Sequence, residues 1–318
     1  MDICRPGFRP VQEKMNTHFF EIAEVPIEVV IPDGFEVSML MPSFAAFAVD
    51  ASCCDAPLFR LDASLPAGAL DSLPAGLVVD ETVNDMGRLR LSLSGSGLLL
   101  DINYVSRGPV HRMYVDRDFR SASASLCWTD PHVGDALSSM LRAACSQALV
   151  PCGVLSFHAS AVELDEKAYM FLGPSGTGKS THAALWRSAF SGCTLLNDDN
   201  PFVVVRSDGA FVCGSPWSGK TPCYLRRVRP LGGIARIRRA PFNCFTPLSD
   251  ASVFSALLPS CSGIKADAGA FGCLCDVLSA LSAVAPAGIM DCLPDVAAAL
   301  VCRRGIENIQ TKQSINHI

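Results

Sequence analysis

The chain has 318 residues, 49% of them hydrophobic and 18% charged, with a formal net charge of −5 at pH 7. That composition describes a folded chain long enough for two domains and excludes an intrinsically disordered one. The acidic balance argues against nucleic acid as a partner, because the basic residues cluster only locally, at Arg226, Arg227, Arg229, Arg236, Arg238 and Arg239. That cluster reads as a solvated edge or, more sharply, as a surface for an acidic substrate or protein. No apolar run reaches the ~18 residues a membrane span needs, so no membrane is expected as a partner.

Fifteen cysteines are present, an odd number, with no C-x-x-C pair at zinc-site spacing. Only the adjacent Cys53-Cys54 and the C-x-C of Cys273 and Cys275 lie close together. The first twenty residues lack a basic segment followed by an apolar run, so no signal peptide is expected. The cysteines therefore read as small buried hydrophobes in a reducing cytoplasm.

Residues 1–130 read as a β-rich domain. Phe35, Val37, Met39 and Met41 alternate with other residues, as do Leu89, Leu91 and Leu93, and period-two alternation predicts half-buried strands. SGSG at 94–97 supplies a turn before LLLDINYV, which predicts a hairpin, and VHRMYVD at 110–116 predicts a further strand. His111 and His132 stand alone, without metal-ligand spacing. A bridging helix is predicted over 131–150: Asp130 and Pro131 signal its start, and Leu137, Met140, Leu141, Ala144, Cys145 and Ala148 recur on one face.

From 151 to 305 short apolar runs alternate with helical segments, the pattern of an α/β domain within an α+β chain. GVLSFHASAVEL reads as a strand, DEK as a tight turn and AYMFL as a second strand running into GPSGTGKST. A helix and the strand CTLL follow, the latter ending in NDDN. PFVVV and GAFVC predict a hairpin, LGGIARI a strand, and 251–302 at least two helices and a short strand. The segment 306–318 reads as a polar, frayed tail.

Gly173, Gly178, Lys179 and Ser180 fit G-x-x-x-x-G-K-[ST], placed after a strand and before a helix as that motif requires. The roles follow from physics. Across Gly173, Pro174, Ser175, Gly176, Thr177 and Gly178 the backbone N–H groups point at phosphate oxygens, and the helix entered at Lys179, Ser180 and Thr181 adds its positive dipole end. Lys179 meets the β- and γ-phosphates of ATP, and the Ser180 hydroxyl ligates Mg2+. Asp198 and Asp199 end the next strand, where the metal-side carboxylate of such a site belongs; a second carboxylate is free to take a proton from an attacking hydroxyl.

GPSGTGKST followed by LLNDDN, with His158 one strand upstream, resembles the C-terminal domain of HPr kinase/phosphorylase and the related nucleotide site of phosphoenolpyruvate carboxykinases. PLGGIARI at 230–237 is similar to a glycine-containing strand of the former group. The resemblance covers roughly residues 150–240 and implies a phosphoenolpyruvate carboxykinase/HPr kinase-like P-loop fold behind a different β-rich N-terminal domain. It implies that Asp198 is the catalytic base, that Asp199 ligates Mg2+ beside Ser180, and that His158 tunes the carboxylate or touches the transferred phosphate; the two aspartates could exchange roles. GSPWSGKTPCY at 214–224 offers Trp217, Ser218 and Lys220 as substrate contacts, or a turn whose tryptophan packs. Homo-oligomers are common in the family, and one is the weak expectation here.

The implied function is an ATP- and Mg2+-dependent kinase acting on a serine-like hydroxyl, free or in a protein or peptide. The alternative is an inactive or regulatory nucleotide-binding protein of the same fold, although lysine, hydroxyl and carboxylate are all present. A regulatory GTPase would need an N-K-x-D element, which does not occur, and the additional metal-site lysine and histidine of phosphoenolpyruvate carboxykinases are not found. The acceptor, and any reversal of the reaction, are left open.

Overall fold

The structure is a computed structural model that describes residues 15–53, 56–84, 87–104 and 108–316. Readings that rest on residues 1–14, on Cys54 and on residues 317–318 fall outside the described residues. The chain is mixed α/β, and its described residues build two sheets of nine strands each.

The first sheet holds β1 (Met15–Ile22), β2 (Val25–Pro32), β3 (Ala48–Val49), β4 (Phe59–Leu65), β5 (Val78–Asn84), β6 (Gly87–Ser94), β7 (Gly97–Asn103), β8 (His111–Val115) and β9 (Ser121–Ser125). Their order is β3-β1-β2-β4-β9-β8-β7-β6-β5. Apolar side chains line up across strands: Leu91 opposes Leu100, Leu100 opposes Met113, and Met113 opposes Ala124. The predicted hairpin of β6 and β7 forms with Ser94 paired to Gly97.

One expected strand is absent. The stretch with Phe35 to Met41 makes the single helical turn α1 (Val37–Leu40) and then a 3-10 turn, Pro42–Phe47, which buries Phe44 and Phe47. Met39 is 81% exposed, so the alternation never met a two-faced environment, and Pro42 cannot donate to a ladder.

The face presented by Leu100 and Met113 is covered by α2 (Val133–Ala148), which buries Leu137, Met140, Leu141 and Ala144 against it. Each of the leucines and the methionine contributes on the order of 1.5–3 kcal/mol when fully buried. Asp130 does act at the start of this helix, its side chain accepting from the His132 N–H at 2.8 Å.

The second sheet follows: β10 (Val154–Ser156), β11 (Ala159–Leu164), β12 (Lys167–Leu172), α3 (Lys179–Ala189), β13 (Thr194–Asp199), β14 (Phe202–Arg206), β15 (Gly209–Cys213), β16 (Val228–Arg239), β17 (Cys244–Pro247), α4 (Asp250–Leu257), α5 (Ala268–Val284), β18 (Ala287–Cys292) and α6 (Val296–Asn316). The long β16 joins its two halves: it pairs antiparallel with β15 at one end and parallel with β12 and β18 along the rest. GVLSFHASAVEL divides into two strands, because the chain changes partners at Phe157, which bridges to Cys261, and at His158, whose N–H donates to Ser260.

The segment read as a polar tail is helical as far as Asn316, and Gln310 donates to the Gly232 carbonyl at 2.6 Å. The cysteines from Cys127 to Cys302 are free thiols. Among the described residues no helix is long and apolar enough to cross a membrane.

Core packing continues from the first sheet into the second. Val154, Phe202, Val204 and Trp217 belong to the same apolar cluster as Phe20, Phe44 and Leu137. The basic cluster is internally paired: Arg226 with Glu21, Arg227 and Arg229 with Glu163, Arg238 with Asp291, and Arg236 with the Ala256 carbonyl.

Candidate functional site

The glycine loop leaves β12 and enters α3 at Lys179. Gly173 takes φ 149° and Gly178 φ 106°, values that L side chains rarely adopt; a Cβ at Gly173 would also meet Thr177 Oγ1 at 2.7 Å. Pro174, Ser175 and Gly176 are exposed, Thr177 is half-buried, and Ser180 and Thr181 are exposed on the first turn of α3. The Lys179 side chain is buried and folds back along the loop, Nζ donating to the carbonyls of Gly173 at 3.0 Å and Pro174 at 3.3 Å. Burial pulls its pKa down, while Asp199 and Asp198 oppose that shift. Arg239, at the end of β16, donates to the Gly176 carbonyl and braces the loop from its outer side.

Two cavities flank the loop. One, of about 450 Å3, lies between Pro174–Thr177 and Arg236–Arg239. The other, of about 350 Å3, is lined by Thr181, Leu185, Ile237 and Pro294 among others.

Asp198 is 2% exposed at the end of β13. Its Oδ1 accepts from Ser160 Oγ at 2.5 Å and from Ser180 Oγ at 2.8 Å, so the carboxylate is tied directly to the glycine-loop serine. Its Oδ2 is buried and has no hydrogen-bond partner among the described residues. A buried carboxylate oxygen without a partner costs ~1–3 kcal/mol or more, and a bound cation would offset that cost. A buried carboxylate oxygen beside a hydroxyl suits Mg2+, which takes one or two protein oxygens together with phosphate oxygens and water. Among the described residues no three His, Cys, Asp or Glu side chains gather into a metal-holding group. A dedicated all-protein cage is therefore not present there.

Asp199 occupies a different environment. It adopts φ 129° and bridges to Ser218 in the 214–224 segment. Its carboxylate is about one-third exposed and lies 3.9 Å from His158 Nδ1 and 3.8 Å from Arg142 Nη1. His158 is pulled below the ordinary histidine pKa chiefly by burial and next by Lys179; Asp199 opposes this and Arg142 adds to it. The ring is thus neutral at neutral pH.

The structure therefore brings together Lys179, Ser180, Asp198, Asp199 and His158, and adds three residues that the sequence left unassigned at the site: Ser160, Arg142 and Arg239. Ser160 lies two residues beyond His158 on β11, a spacing that was available as a signal. Arg142 sits on α2, 57 positions before Asp199, and no local pattern links the two.

The 214–224 segment underpins the aspartates. Ser218 Oγ donates to the Asp198 carbonyl at 3.1 Å, and the Gly219 N–H donates to the same carbonyl. Trp217, offered by the sequence as a substrate contact, is 7% exposed, packs edge-on to Phe44 and donates from Nε1 to Ser138 on α2 at 3.1 Å. Its position is that of a packing group. Lys220 is exposed beyond it.

A third and larger cavity, of about 770 Å3, opens on the His158 and Asp199 side and runs under the first sheet, bounded also by Arg142 and Lys265.

No family model matches the chain, and no curated protein matches it. Solved structures do match. The HPr(Ser) kinase/phosphatase from Coxiella burnetii is similar at 10% sequence identity over 50% of this chain and 98% of that chain, with a TM-score of 0.31. This is a weak structural resemblance, and the functional reading stands on the geometry of the site itself.

Proposed function

We propose that the chain is an ATP- and Mg2+-dependent kinase that transfers the γ-phosphoryl group to a serine-like hydroxyl. The observation that carries this reading is the pair of unlike carboxylates beside the glycine loop: Asp198, bonded to Ser180 at 2.8 Å with a partnerless buried oxygen, and Asp199, beside His158 and facing a cavity. It is the reaction class that the resemblance of GPSGTGKST and LLNDDN implies.

The geometry favours the exchanged assignment of the aspartates. Asp198 shares its oxygen with the glycine-loop serine and so belongs to the metal side. Asp199 is the base. Mg2+, when bound, would be held by Ser180 and Asp198 and would neutralise charge on the β- and γ-phosphates. Lys179 exchanges its bonds to the Gly173 and Pro174 carbonyls for phosphate oxygens, and the loop N–H groups orient them. Asp199 takes the proton of the acceptor hydroxyl as that oxygen bonds to the γ-phosphorus. The bond from the γ-phosphorus to the β–γ bridging oxygen breaks, and ADP leaves with its electron pair. His158, neutral and 3.9 Å from Asp199, can then receive the proton.

The test is a phosphorus-31 NMR time course with Mg-ATP and free L-serine, the smallest acceptor with the required hydroxyl, with Lys179→Ala as control. A phosphomonoester signal that grows with ADP in the wild type alone supports the kinase. Nucleotide that binds but is never turned over with any hydroxyl acceptor would leave the regulatory nucleotide-binding reading in its place.

A further inference from the structure

The cavity of about 770 Å3 beside Asp199 has walls from both sheets. One wall is the inner face of the first sheet, with Leu89, Leu91, Leu100, Met113 and Val115, and α2 adjoins it with Ser139, Ala143 and Ala144. Leu89 and Leu91 are only partly buried: they pack against the edge of the apolar core and also line the cavity. The opposite end is polar, with Asp199, His158, Arg142 and Lys265. Lys265 makes one long bond, 3.4 Å, to the Leu258 carbonyl and has no carboxylate partner among the described residues. Asp80 stands at the exposed rim of β5.

Backbone strain marks the same place. Six described residues other than glycine have positive φ. Ala23 and Glu24 form the two-residue turn between β1 and β2, and Asp165 and Glu166 the one between β11 and β12, where such angles are the norm. Phe119, at 55°, stands in the short loop of the β8–β9 hairpin, and only Asp199, at 129°, lies in no hairpin among these six; both line this cavity. A bulky residue at positive φ costs on the order of 1–3 kcal/mol and persists only where its surroundings impose it. At Phe119 they do: Asp116 accepts from the N–H of Arg120 at 2.9 Å and from Ser121 Oγ at 2.8 Å, which locks the loop and turns the ring inward. Its remaining exposure is 7%.

We propose that this cavity is the acceptor site and that the acceptor is a small amphipathic hydroxy acid. Its apolar body lies on Leu89, Leu91, Leu100, Met113 and Phe119, its carboxylate between Arg142 and Lys265, and its hydroxyl at Asp199. The volume is that of a small-molecule pocket, roughly 300–1,000 Å3, rather than a flat protein-docking surface. This rests on the kinase reading for the fate of the hydroxyl, but binding at the cavity can be read without turnover.

The probes are N-octanoyl-L-serine, N-octanoyl-L-serinamide and free L-serine. With Mg-ATP and the full chain, kcat/KM for N-octanoyl-L-serine is expected to exceed that for L-serine by at least about 100-fold, since several methylenes leave water. The serinamide, without the carboxylate, is expected to lose about 10-fold or more of this, and Lys265→Gln should erase that difference. Thr82→Trp is the key variant. Thr82 is exposed on β5, opposite Leu89, so the substitution plugs the cavity from its rim without disturbing a core. It should abolish the octanoyl preference and leave turnover of L-serine unchanged. Equal kcat/KM for L-serine and its octanoyl derivative, or an octanoyl preference that survives Thr82→Trp, would overturn the proposal. Calorimetric titration of N-octanoyl-L-serine without nucleotide separates the two readings. Binding lost in Thr82→Trp but without phosphoryl transfer keeps the cavity and removes the kinase; no binding to the wild type removes the cavity.

Discussion

The two ends of the site are built in opposite ways. The proposed phosphate end is one unbroken segment, Gly173–Ser180, whose loop, lysine and serine arrive together, with Asp198 joining from β13, two strands over in the sheet. The acceptor end is assembled from parts that lie far apart in the chain: the first sheet, Arg142 on α2, His158 between two strands, and Lys265 on the approach to α5. A segment that carries its own geometry can be read from sequence and moved between proteins, whereas an assembled wall can change with every packing change in a neighbouring element. On the proposed reading, phosphate chemistry is set by local sequence and acceptor choice by tertiary structure.

That division is sharpest when each end is broken by itself. Lys179→Ala removes the point charge of the phosphate end and should lower phosphoryl transfer by about 10²–10³-fold or more. Asp199→Asn removes the proposed base and should lower kcat by about 10²–10⁴-fold. Nucleotide affinity distinguishes them: titration with Mg-ATP should find it weakened in Lys179→Ala and Asp198→Asn and close to wild type in Asp199→Asn. If Asp199→Asn also loses Mg2+-dependent nucleotide binding while Asp198→Asn does not, the assignment of the two aspartates is reversed.

The phosphate end also rests on a dry foundation, which gives it a pH signature. His182 lies beneath the loop on α3, 1% exposed, its Nε2 accepting from Trp186 Nε1 at 3.2 Å. Burial pushes its pKa down to about 4. Between that value and the ordinary 6.5 the unfolded chain binds more protons than the folded one. Stability therefore rises with pH through this window, is fully present above pH 6.5, and is lost as pH falls toward 4. The contribution is ~3 kcal/mol. Urea unfolding at pH 4.5, 5.5 and 7 should reveal that slope, and His182→Gln, which keeps an acceptor for Trp186, should flatten it. An unchanged slope would mean that the residue is not the source.

At the acceptor end the corresponding signature is kinetic. Arg142 helps to hold His158 below its ordinary pKa. Arg142→Gln should therefore raise the His158 pKa and move the acid limb of the kcat/KM profile to higher pH. A limb that stays in place would detach Arg142 from the reacting pair and leave it only the role of holding a carboxylate.

Legibility followed the same split. The loop, the aspartates that end β13 and the hairpin of β14 and β15 were visible because each is a local pattern with a physical cause. His158 was placed on a strand, yet it lies where the chain changes partners, a switch decided by Phe157 meeting Cys261. The segment containing Met39 and Met41 alternated like a strand but winds into a helical turn, since alternation predicts a strand only where two environments face it. Trp217 stood in a glycine-rich loop that looked like a substrate loop, and only the packing of α2 supplied Ser138 as its partner. Arg142 was one of several polar positions on an amphipathic helix. Its functional neighbour became visible only when α2 was laid between the two sheets.

The smallest expected effect concerns how the two regions are held together. Glu24 pairs with Arg206 and Glu21 with Arg226, so the β1–β2 hairpin is linked to the second sheet by ion pairs, all of them substantially exposed. Exposed pairs of this kind contribute about 0–1 kcal/mol, because water and salt screen them and two long side chains must be ordered. The continuous apolar cluster through Phe44, Phe202 and Trp217 is the larger bond between the regions. Glu24→Ala should therefore change unfolding free energy by less than about 1 kcal/mol in urea titrations, with little salt dependence, and leave acceptor selectivity as it was. A larger loss, or a selectivity that shifts with ionic strength, would mean that the wall of the acceptor cavity is positioned by its rim charges. The apolar joint would then not be what sets the width of the site.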